Sequence, residues 1–247
     1  MKAIIIAAGD GTRIGKELSG IPKSLIPING KTIFERQKYI FEKNDISEFI
    51  VITGPEHKFK DIDVKYIKDN DRQYHDILGS LLVAKEHFKG NMIISYSDIL
   101  FEDEIIKQLI NTKGDIVIAI DLNWKKEYEN RTEHPLSEAE NVLINDKGQI
   151  SLIKKNIDDS DKIVGEFLGL IKMTEKGSDI FLKKINHLQK NHVGKFHNAE
   201  SLEKGYLTDM MQEMVDASIE ITPLFISGKW CEVDTKQDLD RASKKFS

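Results

Sequence analysis

Lys2-Ala3-Ile4-Ile5-Ile6-Ala7-Ala8-Gly9-Asp10-Gly11-Thr12-Arg13 decides the fold. The run from Lys2 to Ala7 is short and almost wholly apolar, the pattern of a parallel strand buried on both faces. It passes into small residues and glycines, which let a backbone approach a ligand closely. Successive N–H groups in such a turn form an anion nest. Arg13, and Lys23 in the later segment Pro22-Lys23-Ser24-Leu25, add fixed positive charge within reach of it. A bound triphosphate whose leaving pyrophosphate must be neutralised suits that arrangement. A dinucleotide fingerprint is a poorer fit, because Ile14 stands where its third glycine belongs. A P-loop needs Gly-Lys-Ser/Thr at its end, and none follows. The cationic Arg13 and Lys23 also argue against a bland tight turn.

Around this stretch, strand-like and helical runs alternate, which predicts an α/β fold with a Rossmann-like, mostly parallel sheet flanked by helices. Thr32-Ile33-Phe34-Glu35 is a capping box opening a helix to about Asn44. Residues 48–53, 64–67, 91–96 and 115–120 read as strands, and 76–88 and 102–110 as helices. From Asp121 the pattern turns polar and aromatic, followed by a hairpin around Asp146-Lys147-Gly148 and a strand at 165–171. The expectation is one domain over 1–247 with a β-rich insertion over about 121–173 packed against the edge of the first sheet. Helices at about 176–189 and 205–217, a strand at 221–226 and a helix capped by Thr235 with Asp238 close the chain.

The totals fit such a fold. The 247 residues carry 36 basic and 41 acidic groups, net charge −5, which argues against nucleic acid as a partner. No apolar run is long enough to span a bilayer, no signal-peptide pattern opens the chain, and Cys231 is a lone cysteine. A cytoplasmic protein with no membrane partner is expected. Sheet edges beside an inserted hairpin are compatible with a homodimer.

Asp98 and Asp234 each follow a buried strand, where ligands collect in open α/β sheets. Two carboxylates facing a phosphate-binding turn suit a shared Mg²⁺, with Glu232 as a helper. In the middle stretch, Arg131 suits bidentate binding of a phosphonate or phosphate. Glu138, Glu140 and Glu166 suit an amine. His134, before a proline, reads on its own as structural.

These motifs resemble the nucleotidyltransferases of the sugar-phosphate type. The resemblance rests on Ala7-Ala8-Gly9-Asp10-Gly11-Thr12-Arg13 with Pro22-Lys23-Ser24-Leu25. It continues in Ser95-Tyr96-Ser97-Asp98, in Trp124…Tyr128…Arg131…His134-Pro135…Glu138-Ala139-Glu140, in Gly165-Glu166-Phe167 and in Trp230-Cys231-Glu232-Val233-Asp234-Thr235. Together these are similar to the cytidylyltransferase branch that handles phosphocholine and phosphonates, the 2-aminoethylphosphonate cytidylyltransferases. The resemblance implies that Ala7, Ala8, Gly9, Gly11 and Thr12 cradle the nucleotide, with Arg13 and Lys23 on its phosphates. It implies that Ser80 contacts the nucleoside, with Asn70 and Gln73 in the base-reading loop. Asp98 and Asp234 would hold Mg²⁺. Tyr128, Arg131, His134, Glu138, Glu166 and Lys155 would bind the acceptor, Lys154 being the neighbouring alternative for the acceptor lysine. The implied reaction joins CMP from CTP to a small phosphonate or phosphomonoester and releases pyrophosphate. Phosphocholine, another phosphorylated amine or amide, or a sugar 1-phosphate are alternative acceptors. A nucleotide-binding module without catalysis would not require Arg13, Lys23, Asp98 and Asp234 together.

Overall fold

The computed structural model describes residues 1–9, 14, 21–56, 58–60, 63–157 and 162–247. Gly11, Thr12 and Arg13, expected to bind the nucleotide, lie outside the described residues.

The first half of the chain runs β1 (Lys2–Ala7), β2 (Pro27–Ile28), β3 (Lys31–Thr32), α1 (Ile33–Lys43), β4 (Glu48–Thr53), β5 (Lys65–Lys68), α2 (Ile77–Leu82), β6 (Met92–Tyr96), β7 (Ile99–Phe101), α3 (Asp103–Asn111) and β8 (Ile116–Asp121). The second half adds β9 (Glu140–Ile144), β10 (Ile150–Lys155), β11 (Ile163–Met173), α4 (Glu175–Asn191), α5 (Leu207–Asp216), β12 (Thr222–Phe225), β13 (Trp230–Glu232) and α6 (Lys236–Lys245). One sheet takes the order β10-β9-β11-β6-β1-β4-β5, and β8 joins it by pairing with β11 and β12. β1 lies parallel between β4 and β6, with Ile4 opposite Ile50 and Ile94. Its alternation feeds two cores. Ile4 and Ile6 pack with Ile50, Ile94 and Phe88 on one face, while Ala3 and Ile5 pack with Phe34, Phe41 and Val51 on the other. That is why the strand is apolar at every position after Lys2.

The expected capping box is present: Glu35 N–H donates to Thr32 Oγ1 at 3.1 Å, and Thr32 N–H to Glu35 Oε2 at 2.7 Å. Thr235 and Asp238 cap α6 in the same way. The helix expected over 76–88 stops at Leu82, and a separate 3₁₀ turn covers Lys85–His87. Apolar spacing of three or four residues is shared by both helix types, so the sequence does not separate them. Residues 121–173 do not form a separate layer. β11 pairs with β9 through its first residues, with β6 through its last, and with β8 along much of its length. The middle segment thus extends the same sheet. No helix among the described residues is long and apolar enough to cross a membrane.

β11 carries an irregularity against β8 between Phe167 and Ile171, and Gly169 sits there at φ +76°. A Cβ at Gly169 would fall 2.2 Å from Tyr96 Cδ2, so both the backbone and the Tyr96 ring require glycine. Gly169→Ala is expected to destabilise the fold by about 2 kcal/mol, lowering Tm by roughly 4–8 °C. Calorimetry checks this, and an unchanged Tm would refute the assigned packing.

Candidate active site

A cavity of about 530 Å³ opens at the carboxyl ends of β1 and β6, as crevices in open α/β sheets do. Ala8 and Gly9 after β1, Ser97 and Asp98 after β6, and the early part of β11 line it. Asp98 and Asp234 meet because of the ribbon formed by β7 and β13. Glu232 pairs with Ile99, and Val233 N–H donates to the Asp98 carbonyl at 2.9 Å. Buried Gln37 on α1 clamps the turn between β6 and β7, donating to the carbonyls of Tyr96 (2.9 Å) and Ile99 (2.8 Å).

At the centre, Lys23 Nζ donates to Asp98 Oδ2 at 2.8 Å and to Asp234 Oδ1. Burial works against the ammonium, but the two carboxylates outweigh it and hold Lys23 above the ordinary lysine range. His134 is buried, with Nδ1 3.0 Å from Asp234 Oδ2 and Nε2 3.8 Å from Glu232 Oε2. His134, Glu232 and Asp234 each offer a ligand atom within 4.8 Å of the others. Burial, then the like charges of Asp234 and Asp98, push Glu232 up to about 7. This concentration of hard oxygen donors suits a divalent cation such as Mg²⁺.

The end formed by β9, β10 and β11 is lined by Tyr96, Tyr128, Glu138, Glu140, Lys155, Glu166 and Tyr206. Glu166 is 5% exposed; its Oε1 accepts from the Tyr128 hydroxyl at 2.5 Å, and its Oε2 has no hydrogen-bond partner. Burial holds its carboxyl well above the usual range. The Tyr96 hydroxyl donates to Glu140 Oε2 at 3.0 Å. Burial pushes Glu140 up to about 8 against the opposing pull of Lys155 and Tyr96. Lys155 Nζ lies 3.1 Å from Glu138 Oε2 and 4.2 Å from the centre of the Tyr206 ring.

Arg131 is the main departure from expectation. Its side chain is 5% exposed and does not line the cavity. It forks onto Asp238 at 2.6 and 2.9 Å and reaches Glu232 at 3.2 Å. A guanidinium held by those carboxylates braces the head of α6 and is not presented to an acceptor. Asn70 and Gln73 are exposed and outside the cavity wall, where Arg72 and His75 stand instead. Ala7 ends β1 just behind the lining residues. Ser80 does line the cavity, donating to Asp69 at 2.8 Å. Asp69, His75, Tyr96 and Tyr206 escaped the sequence reading. For Asp69 a signal existed, since it follows a strand as Asp98 does.

With this geometry in view, residues 3–156 match the MobA-like NTP transferase domain. The chain belongs to that family and is a nucleotidyltransferase. It is 26% identical over 254 residues to a CTP:phosphoglutamine cytidylyltransferase of Campylobacter jejuni, covering 97% of this chain and 98% of that protein. It is 28% identical to a bifunctional IPC transferase and DIPP synthase of Archaeoglobus fulgidus, of whose length it spans 43%. Two solved structures share the fold. One is the inositol-1-phosphate CTP transferase of T. maritima (TM-score 0.74, 18% identity, 99% of this chain and 95% of that one). The other is the CTP:phosphocholine cytidylyltransferase of Streptococcus pneumoniae (TM-score 0.67, 17% identity, 100% and 99%).

The raised Glu140 carboxyl gives a pH signature. Between the ordinary glutamate value and about 8 the folded chain keeps a proton that the unfolded chain has released. This contribution to stability is full below that window and is lost as pH rises through it. Glu140→Gln cannot titrate, so it is expected to flatten the fall of Tm between about pH 5 and pH 8. An unchanged slope in a thermal melt series would contradict the assignment.

Proposed function

We propose that this nucleotidyltransferase joins CMP from CTP to a small phosphomonoester or phosphonate carrying an amine or amide, releasing pyrophosphate. The observation that carries the reading is Glu166: a buried carboxylate with one unpartnered oxygen in the cavity wall, across the Lys23–Asp98–Asp234 centre from the β1 turn. Such an oxygen calls for an N–H donor on the ligand. The C. jejuni relative, named for a phosphorylated amide, supports the same acceptor class. 2-Aminoethylphosphonate belongs to this class. An aromatic cage for a quaternary ammonium is less well supplied. Arg131 sits 5.1 Å from the Tyr128 ring centre, Lys155 covers Tyr206, and Trp124 is buried with its N–H on the Val164 carbonyl at 2.9 Å.

In this reading an acceptor phosphoryl oxygen attacks the α-phosphorus of CTP. The new O–P bond forms as the bond to the β-phosphate oxygen breaks, and pyrophosphate leaves with the electron pair. A phosphoryl dianion is already a competent nucleophile, so positioning and charge neutralisation carry the rate. Lys155 holds the acceptor phosphoryl group and Lys23 faces the α-phosphate. Ala8 and Gly9 allow the nucleotide to approach the backbone. Asp98 and Asp234 would hold Mg²⁺, which when bound neutralises phosphate charge. His134 orients Asp234, and Glu166 orients the acceptor's nitrogen.

Asp98→Asn is expected to lower kcat by about 10²–10³ with Tm nearly unchanged. Pyrophosphate release at the wild-type rate would sink the assignment of the centre. Chelation of divalent cations is expected to abolish turnover. Glu166→Gln should raise the acceptor KM about tenfold and leave the CTP KM unchanged, the loss being the hydrogen bond between its unpartnered oxygen and the acceptor's nitrogen. In an acceptor screen, 2-aminoethylphosphonate and phosphoglutamine should outpace phosphocholine. Preference for a phosphate ester without nitrogen would overturn the acceptor class.

A further inference from the structure

We propose that Arg131 is a positioning residue for the cation seat: without facing the cavity, it sets Asp234 and Glu232 through a forked contact to Asp238. The inference rests on the reading of Asp98 and Asp234 as that seat.

Asp238 is buried, and its two oxygens do different work. Oδ2 accepts from the backbone N–H of Asp234 at 3.2 Å, from the Thr235 N–H at 2.9 Å and from the Thr235 hydroxyl at 2.8 Å. It therefore holds the main chain of a proposed cation ligand directly. Oδ1 accepts from Arg131 Nε at 2.6 Å, while Arg131 Nη2 donates to Oδ2 at 2.9 Å. A fork of this kind fixes the plane of the carboxylate as well as its charge. Rotation of that plane would withdraw Oδ2 from the Asp234 N–H.

The same Nη2 donates to Glu232 Oε2 at 3.2 Å, and Glu232 lines the cavity. Glu232 ends β13, and Asp238 lies in the first turn of α6. One guanidinium thus grips the strand end before Asp234 and the helix start after it. Lysine could supply the charge but not the fork, because its ammonium is a point charge on a flexible stem.

Arg131 is itself held in place. Gln237 Nε2 donates to the Asn130 carbonyl at 2.9 Å, and Gln237 Oε1 accepts from the Thr132 N–H at 2.8 Å. The backbone on both sides of Arg131 is therefore tied to the first turn of α6. Three residues on, His134 Nδ1 lies 3.0 Å from Asp234 Oδ2. Residues 130–134 address Asp234 twice: at its side chain through His134, and at its backbone through Arg131 and Asp238. Groups that orient metal ligands from behind typically govern affinity by about 10–100-fold.

The test is Mn²⁺ binding to the protein alone, followed by the paramagnetic resonance of the free ion, with thermal melts of the same samples. Arg131→Lys keeps the charge and removes the fork. Its Mn²⁺ Kd should rise about 10–100-fold in a folded chain. Should Arg131→Lys fail to fold, Asp238→Asn keeps the size and a capping oxygen, weakens the same fork and should raise the Kd likewise. The double variant should bind no more weakly than the worse single one, since both act through one contact. An unchanged Kd would overturn the proposal: with a lowered Tm alone Arg131 is a brace, and with a raised acceptor KM alone it meets the acceptor. A wild type that binds no Mn²⁺ overturns it too, because the seat is then absent. A wild type that releases no pyrophosphate, while Arg131→Lys still loses Mn²⁺ affinity, fails the transfer reading and keeps this one.

Discussion

The structure is organised around an ammonium, Lys23, held between the buried carboxylate of Asp234 and the half-buried one of Asp98. Lys23, Asp98 and Asp234 come from three distant parts of the chain, and each would be costly to bury without the others. Gln37 fixes the turn before Asp98, the β7–β13 ribbon delivers Asp234 to it, and His134 holds the far oxygen of Asp234. Asp238, which caps α6, also anchors Arg131. The helix start, the ribbon and the middle segment are thereby locked to one another around the charged centre.

The parallel order of β6, β1, β4 and β5 turns that centre into the middle of a line. On one side stands Asp69, with Ser80 and His75 hydrogen-bonded to its carboxylate. On the other, β9 and β11 bring carboxylates whose burial raises their affinity for protons, Glu140 and Glu166. Asp69 and Asp98 follow strands, Glu140 opens one and Glu166 lies within one, so strand order fixes the sequence of chemistries across the cavity. This explains why the middle segment joins the main sheet: a separate layer would not hold Glu166 in register with Asp98.

Much of this was legible from the sequence. The unbroken apolar run of β1 announces burial on both faces, and the capping boxes at Thr32 and Thr235 are local patterns with local causes. Asp98 and Asp234 stood out because strand ends in such sheets collect ligands. The misreadings have a common origin in distant partners. Arg131 looks like a phosphate ligand until Asp238, 107 residues later, claims its fork. The sequence points to Asn70, Gln73 and Ser80 for the nucleoside; Ser80 does line the cavity, but Asn70 and Gln73 face solvent, and Arg72 and His75 stand in the wall. The pairing of β11 with three strands depends on a glycine irregularity and on long-range register, neither visible in composition.

In the proposed reaction the α-phosphate is the group that moves, and it does so at the Lys23–Asp98–Asp234 centre. Incubating the protein with α-phosphate-labelled CTP, a divalent cation and an amine-bearing phosphoryl acceptor tests it directly. The label is expected to pass into a CMP–acceptor conjugate while unlabelled pyrophosphate is released, and Lys23→Ala to stop both together. Label recovered only as CDP with transfer of the terminal phosphate, or undiminished conjugate from Lys23→Ala, would contradict it.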